Sequence, residues 1–139
     1  MRHKSSLFVR WADLDAFGHI NNAAYLVYVQ EARADFTWYS RMGRGESPIF
    51  ADMVVARAEV DFIEPIYVGG VNVDVEIYVV RIGTASFELA YEISYQGVLS
   101  SKAKTVQVAV SMETKKSRPI NDVEREFLSK YLDQPSEAK

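Results

Sequence analysis

The sequence predicts an α+β fold in which an antiparallel five-stranded sheet with one buried face wraps around one long helix. Two periodicities predict it. Apolar residues recur at steps of three and four from Tyr25 to Tyr39, and from Val54 onward they recur at every second position in four successive runs. The order of elements supplies the third observation: strand, long helix, four long strands, short helix. Only the first helix is long enough to cover most of an apolar sheet face, so the sheet must curl around it.

Leu7 to Trp11 reads as a short strand, and Ala12 to Asn22 as a loop rich in Asp, Gly and Asn. Tyr25, Val29, Ala32, Phe36 and Tyr39 then share one helical face; Asn21 or Asn22 suits the N-cap, and Gly43 the left-handed residue at the other end. After Pro48, Val54, Ala56, Ala58, Val60 and Phe62 alternate with Val55, Arg57, Glu59, Asp61 and Ile63 until Glu64-Pro65 ends the strand. Val71 to Val79 form the next strand, closed by a Gly83-Thr84 turn. Phe87, Leu89, Tyr91, Ile93 and Tyr95 share a face of the third, and Gln96-Gly97 leads to a fourth with Val106, Val108, Val110 and Met112 in phase. These last three strands should form a meander. Asn121 or Asp122 caps a final helix aligning Val123, Phe127 and Tyr131, and residues 132–139 read as a flexible polar tail of a single domain spanning 1–139.

Composition excludes several functions. A formal charge of −3 with no long Lys/Arg cluster argues against nucleic acid as a partner. The absence of cysteine removes disulfides, thiolate metal sites and a Cys nucleophile, and with only two histidines no metal site is expected. There is no signal-peptide pattern and no run near the ~18 apolar residues of a membrane span, so the expected location is cytoplasmic.

The chemistry concentrates in the loop before the helix. Between Arg10 and Tyr25 lie Asp13, Asp15, His19, Asn21 and Asn22, and they lead into a helix N-terminus. A carboxylate there can attack a carbonyl or activate water, while the free N–H groups of the helix end stabilise the oxyanion. Acyl transfer to water is the natural reaction for this set.

Asp13-x-Asp15-x-x-Gly18, running into the helix, resembles the signature of the hotdog-fold thioesterases related to 4-hydroxybenzoyl-CoA thioesterase. The continuation from His19 to Tyr25, His-x-Asn-Asn-x-x-Tyr, is similar to the branch that includes acyl-ACP thioesterases. Residues 61–65, 81–83 and 103–108 resemble later strands of the same family, so the likeness spans nearly the whole chain. The acyl-ACP branch carries an Asn two residues after the catalytic Asp, where this chain has Phe17.

The resemblance implies a hotdog fold, hydrolysis of an acyl-CoA or acyl-carrier thioester without a cofactor, and at least a homodimer, or a homotetramer, with shared sites. It also implies Asp15 as the catalytic carboxylate, nucleophile or general base, with the backbone N–H of Asn22 as oxyanion donor. His19 is open between substrate positioning and proton transfer, with positioning favoured. Rival functions are a hotdog hydratase-dehydratase using His19 as proton carrier, and a non-catalytic acyl-CoA-binding module.

Each residue also has an ordinary structural reading. Asp15 can cap a turn through its own backbone, and Asp13 reads as a turn or packing residue that shapes the loop. His19 can be satisfied by a carbonyl, and His3 reads as mobile. Tyr25, a candidate substrate contact, faces the sheet by its helical phase, and a tyrosine so placed is more often core than ligand contact. Arg81, Lys102 and Lys104 are candidate contacts for CoA phosphates or plain surface charges, and Glu59, Asp61 and Glu64 read as solvated edges.

Overall fold

The computed structural model describes residues 1–135. Strands β1 (His3–Phe8), β2 (Met53–Phe62), β3 (Asn72–Ile82), β4 (Ser86–Tyr95) and β5 (Val98–Ala109) form one sheet in the order β1-β3-β4-β5-β2. Every neighbouring pair is antiparallel. The expected meander is β3-β4-β5, with β1 and β2 at the two edges. Helix α1 (Asn22–Ala34) lies on the concave face, and α3 (Asp122–Lys130) caps one end.

The first strand begins earlier than its apolar run suggests. His3 to Phe8 pair with Ile77 to Asn72, whereas Trp11–Asp13 form a single 3-10 turn. Sheet pairing overrides the polar character of Lys4, Ser5 and Ser6, because an edge strand needs to bury only one side. His3 is correspondingly held in place. Its Nε2 lies 2.8 Å from Asp35 Oδ2, which also accepts from Ser5 Oγ at 2.6 Å.

Val73, Val75, Ile77 and Val79 on β3, and Phe87, Leu89, Tyr91 and Ile93 on β4, are fully buried against α1, as their alternation predicts. On β5 the phase is the reverse of the apolar pattern. Ser101, Ala103, Thr105, Gln107 and Ala109 face inward, while Val106, Val108 and Val110 are only partly buried and Met112 is exposed. The polar set survives burial because its members bond within the fold, all but Gln107 Oε1, which has no partner among the described residues. Tyr91 Oη lies 2.6 Å from Thr105 Oγ1, Gln107 Nε2 donates to the same hydroxyl, and Ser101 Oγ donates to the Asp61 carbonyl. On β2 the alternation breaks at a bulge at Ala56, so Val55 and Ala58 share a face. As an edge strand it buries little on either side, leaving Val54 and Phe62 about half exposed.

Helix α1 starts where Asn21 Oδ1 accepts from Ala23 N at 2.9 Å, so Asn21 is the cap and Asn22 the first helical residue. Asn21→Ala should cost about 1 kcal/mol, read as a lower denaturation midpoint with unchanged denaturant slope. Tyr25, Val29, Ala32 and Phe36 are buried as expected, but Tyr39 is not. Asp35–Tyr39 form a π-turn whose extra residue rotates the following helix α2 (Ser40–Gly43), turning Tyr39 outward and Arg41 inward. The left-handed residue that ends this helix is Gly45, at φ +78°, rather than Gly43.

Asn121 caps α3, with Glu124 answering from the third position. Phe127 and Tyr131 pack on Phe36, but Val123 is exposed. Of the tail expected over residues 132–139, the first part is tied to the sheet. Leu132 bridges Val79, Asp133 N donates to the Val79 carbonyl, and Asp133 pairs with Arg2 at 2.8 Å. Residues 136–139 lie outside the described residues.

Candidate active site

The loop between β1 and α1 is a miniature hairpin. Leu14 and Ile20 bridge each other, Asp15 N donates to the His19 carbonyl, and Gly18 N donates to the Asp15 carbonyl at 3.0 Å. Gly18 adopts φ +80°, a left-handed conformation the turn requires. Asp15 performs the ordinary loop duty with one oxygen, Oδ1 accepting from Phe17 N at 2.9 Å. The other oxygen, Oδ2, is 3.6 Å from His19 Nδ1.

Asp13 underlies this hairpin. It is 4% exposed and accepts from Arg10 N at 3.0 Å, from Arg10 Nη2 at 2.8 Å and from Tyr28 Oη at 2.8 Å. Burial pushes its carboxyl upward in pKa, and these donors outweigh burial to hold it below the usual carboxylate range. Its backbone carbonyl accepts from Asn21 N at 2.7 Å, fixing the cap of α1 to the loop. The packing role expected for Asp13 is the one it has.

His19 Nδ1 lies 3.1 Å from the Ile20 carbonyl, which can only accept, so this nitrogen carries the proton and Nε2 is left as an acceptor in the neutral ring. The ring stacks with Phe17 at 6.1 Å and meets Tyr67 edge-on at 5.7 Å. Beside it opens a cleft of about 200 Å³ lined by His19, Asn22 and Tyr25 on one side and by Phe62, Glu64 and Ser100 on the other. Asp15 is not itself among the residues that line it and is joined to it through His19, whose Nδ1 is 3.6 Å from Asp15 Oδ2. The backbone N–H of Asn22 opens α1 and has no acceptor among the described residues.

Tyr25 is buried and lines the cleft while donating to or accepting from Ser100 Oγ at 2.8 Å, so it is core and cleft wall together. The three candidate cations lie elsewhere. Arg81 Nε donates to Glu88 at 2.6 Å, and Lys102 and Lys104 stand opposite Asp61 and Glu59 on the sheet face turned away from α1; none lines the cleft. Glu64, read as a solvated edge, does line it, as does Ser100, which the alternation pattern gave no reason to single out. Ser100 is the extra residue of a bulge between β4 and β5, a backbone feature that no side-chain period reports. Among the described residues no cluster of His, Asp and Glu converges to hold a metal. Nor is any helix there long and apolar enough to cross a membrane.

Sheet, enclosed helix and loop together place the chain in the class of hotdog-fold thioesterases. It belongs to the thioesterase-like superfamily, whose family model matches residues 9–128. It is 27% identical over 121 residues to a 1,4-dihydroxy-2-naphthoyl-CoA hydrolase from Rippkaea orientalis, covering 82% of this chain and 86% of that one. A predicted thioesterase from Bacillus stearothermophilus superposes with a TM-score of 0.85 at 29% identity, covering 98% of this chain and all of the other. A thioesterase from Thermus thermophilus, solved with coenzyme A and zinc, gives 0.76 at 29% identity over 95% of each chain.

Proposed function

We propose that this protein hydrolyses acyl-CoA thioesters at the cleft between α1 and the end of β2, with Asp15 as nucleophile or general base. The observation that carries the reading is the pairing of a carboxylate with an unbonded helix N–H on the two flanks of His19. A thioester carbonyl placed against the Asn22 N–H would gain the partial positive charge of the helix end as its oxygen becomes negative. Asp15 Oδ2 is the carboxylate oxygen left over from capping the turn. His19 positions the acyl group: its Nδ1 proton is committed to a backbone carbonyl and its ring is fixed between two aromatics.

The coenzyme A complex of the Thermus relative and the hydrolase name of the Rippkaea relative support acyl-CoA over a hydratase substrate. The cleft, at about 200 Å³, is smaller than the ~300–1,000 Å³ that encloses a drug-sized ligand, so it suits the reacting end of the substrate alone. The rest lies on a surface that a second copy would complete. Edge strand β2 and the exposed Leu26 and Val27 of α1 offer the apolar contact for a homodimer, or a homotetramer built from it. The step uses none of Arg81, Lys102 and Lys104, and needs no cofactor.

Thiol release from a panel of short, long and aromatic acyl-CoAs tests the reading. Wild type should release thiol from at least one of them and the Asp15→Asn variant should not. Turnover of an enoyl-CoA with no thiol released would point to the hydratase instead, and tight binding without turnover to a binding module.

A further inference from the structure

The cleft contains a chain of hydroxyl groups whose direction is fixed. Ser100 Oγ lies 2.7 Å from the Glu64 carbonyl oxygen, which can only accept, so the single Ser100 proton is committed there. The 2.8 Å contact between Tyr25 Oη and Ser100 Oγ must then be made by the tyrosine proton. Protons therefore point one way, from Tyr25 to Ser100 to Glu64. Tyr25 Oη makes no second hydrogen bond among the described residues, so what remains on it is an acceptor.

This acceptor is rigid and partly dehydrated. Tyr25 is 3% exposed and Ser100 2%. The Tyr25 ring is held edge-on by Tyr28 at 6.0 Å and by Phe62 at 5.4 Å. Burial raises the phenol above its ordinary pKa, with the bond to Ser100 acting weakly in the other direction, so the group stays protonated and the chain keeps its polarity. The bulge that places Ser100 here is a device that re-aims one side chain out of the strand's alternation. Both residues line the same cleft as His19 and Asn22.

We propose that Tyr25, polarised by Ser100 and the Glu64 carbonyl, is a specificity residue that accepts a hydrogen bond from an O–H or N–H of the bound thioester. The proposal rests on the thioesterase reading and adds what the cleft selects for. A buried acceptor left without a donor is costly, so thioesters that bring one are favoured over those that do not. Two parts of a substrate carry such a donor: a hydroxyl on the acyl group, and the amide N–H of the pantetheine arm.

Four thioesters separate these sources: a ring-hydroxylated aromatic acyl group and its unhydroxylated parent, each on coenzyme A and each on a simple alkyl thiol without an amide. For wild type and Tyr25→Phe, kcat/KM is measured for all four. The expected result is a penalty of about tenfold in the variant, confined to the thioesters that carry the acyl hydroxyl or to those that carry the amide. An equal penalty on all four, including the one with no donor, overturns the proposal, and so does no penalty on any. Ser100→Ala keeps the tyrosine but frees its proton to donate. It should shrink the same donor preference by a similar factor, and an undiminished preference rules out the one-way chain. Titration with non-hydrolysable thioether analogues of the four reads the same preference by affinity. If the wild type releases no thiol but the affinities still follow Tyr25, the catalytic reading fails and the recognition stands.

Discussion

Asp15→Asn is expected to lower kcat/KM for the best acyl-CoA by about 10³-fold or more while leaving the melting temperature within about 2 °C of wild type. The two halves of that expectation come from the two oxygens of one side chain. Oδ1 caps the turn by accepting from Phe17 N, and an asparagine oxygen can do the same, so the hairpin keeps its shape. Oδ2 lies beside His19, which lines the cleft, and in the role proposed for it an amide can neither attack a carbonyl nor take a proton from water. Thermal melting and thiol release on the same preparation check both halves. A single turnover in ¹⁸O-water then tests the nucleophilic role of the carboxylate. Label recovered in Asp15 follows from an acyl-aspartyl anhydride opened by water at the aspartyl carbonyl, whereas label in the acid alone follows from water attacking the acyl carbonyl, whether in the thioester or in the anhydride.

Asp13 should behave in the opposite way. Asp13→Ala leaves the buried Tyr28 hydroxyl and the Arg10 N–H without their acceptor, and should cost about 2–4 kcal/mol, or roughly 10 °C in melting temperature. The same carboxylate predicts a pH dependence. Its folded pKa lies below the ordinary value of 3.8, so its contribution is complete above that value and is lost as pH falls through the lower folded one. Wild-type stability should therefore drop steeply on the acid side, and the Asp13→Ala curve should be flatter there. Denaturant midpoints measured between about pH 2 and 6 check this. On these expectations two aspartates only two positions apart would divide stability and activity between them. If Asp13→Ala lost activity with no loss of stability, the division would be wrong.

The packing role of Asp13 was legible from its place in a short loop feeding a helix, whereas the catalytic role proposed for Asp15 came from the resemblance of Asp13-x-Asp15-x-x-Gly18 to the family signature. The central strands were legible as well, since β3 and β4 bury one clean alternating face. What failed did so for identifiable reasons. On β5 the valines follow the outer face while Ser101, Thr105 and Gln107 form the inner one; bonds to the β2 backbone and to Tyr91 offset the burial of Ser101 and Thr105, and Gln107 bonds through its amide nitrogen to Thr105 while its Oε1 has no partner among the described residues. Periodicity measures hydrophobicity and cannot see that compensation. The start of β1 was hidden because His3, Ser5 and Asp35 are joined across elements 30 residues apart. Ser100 and Glu64 entered the cleft through a bulge and a strand end, both properties of backbone pairing.

The π-turn at Asp35–Tyr39 has a consequence for kinship. It is one residue inserted into a helix, and everything after it is read in a shifted frame. A relative lacking that residue would place a different side chain over Phe127, where Arg41 now lies with its guanidinium 4.7 Å from the ring centre. Alignments of such chains that score residue similarity without a gap near Asp35 will pair Tyr39 with a core position it does not occupy. Deleting a single residue between Asp35 and Tyr39 is therefore a larger change than most substitutions there, because it rewrites the partners of every residue up to Gly45.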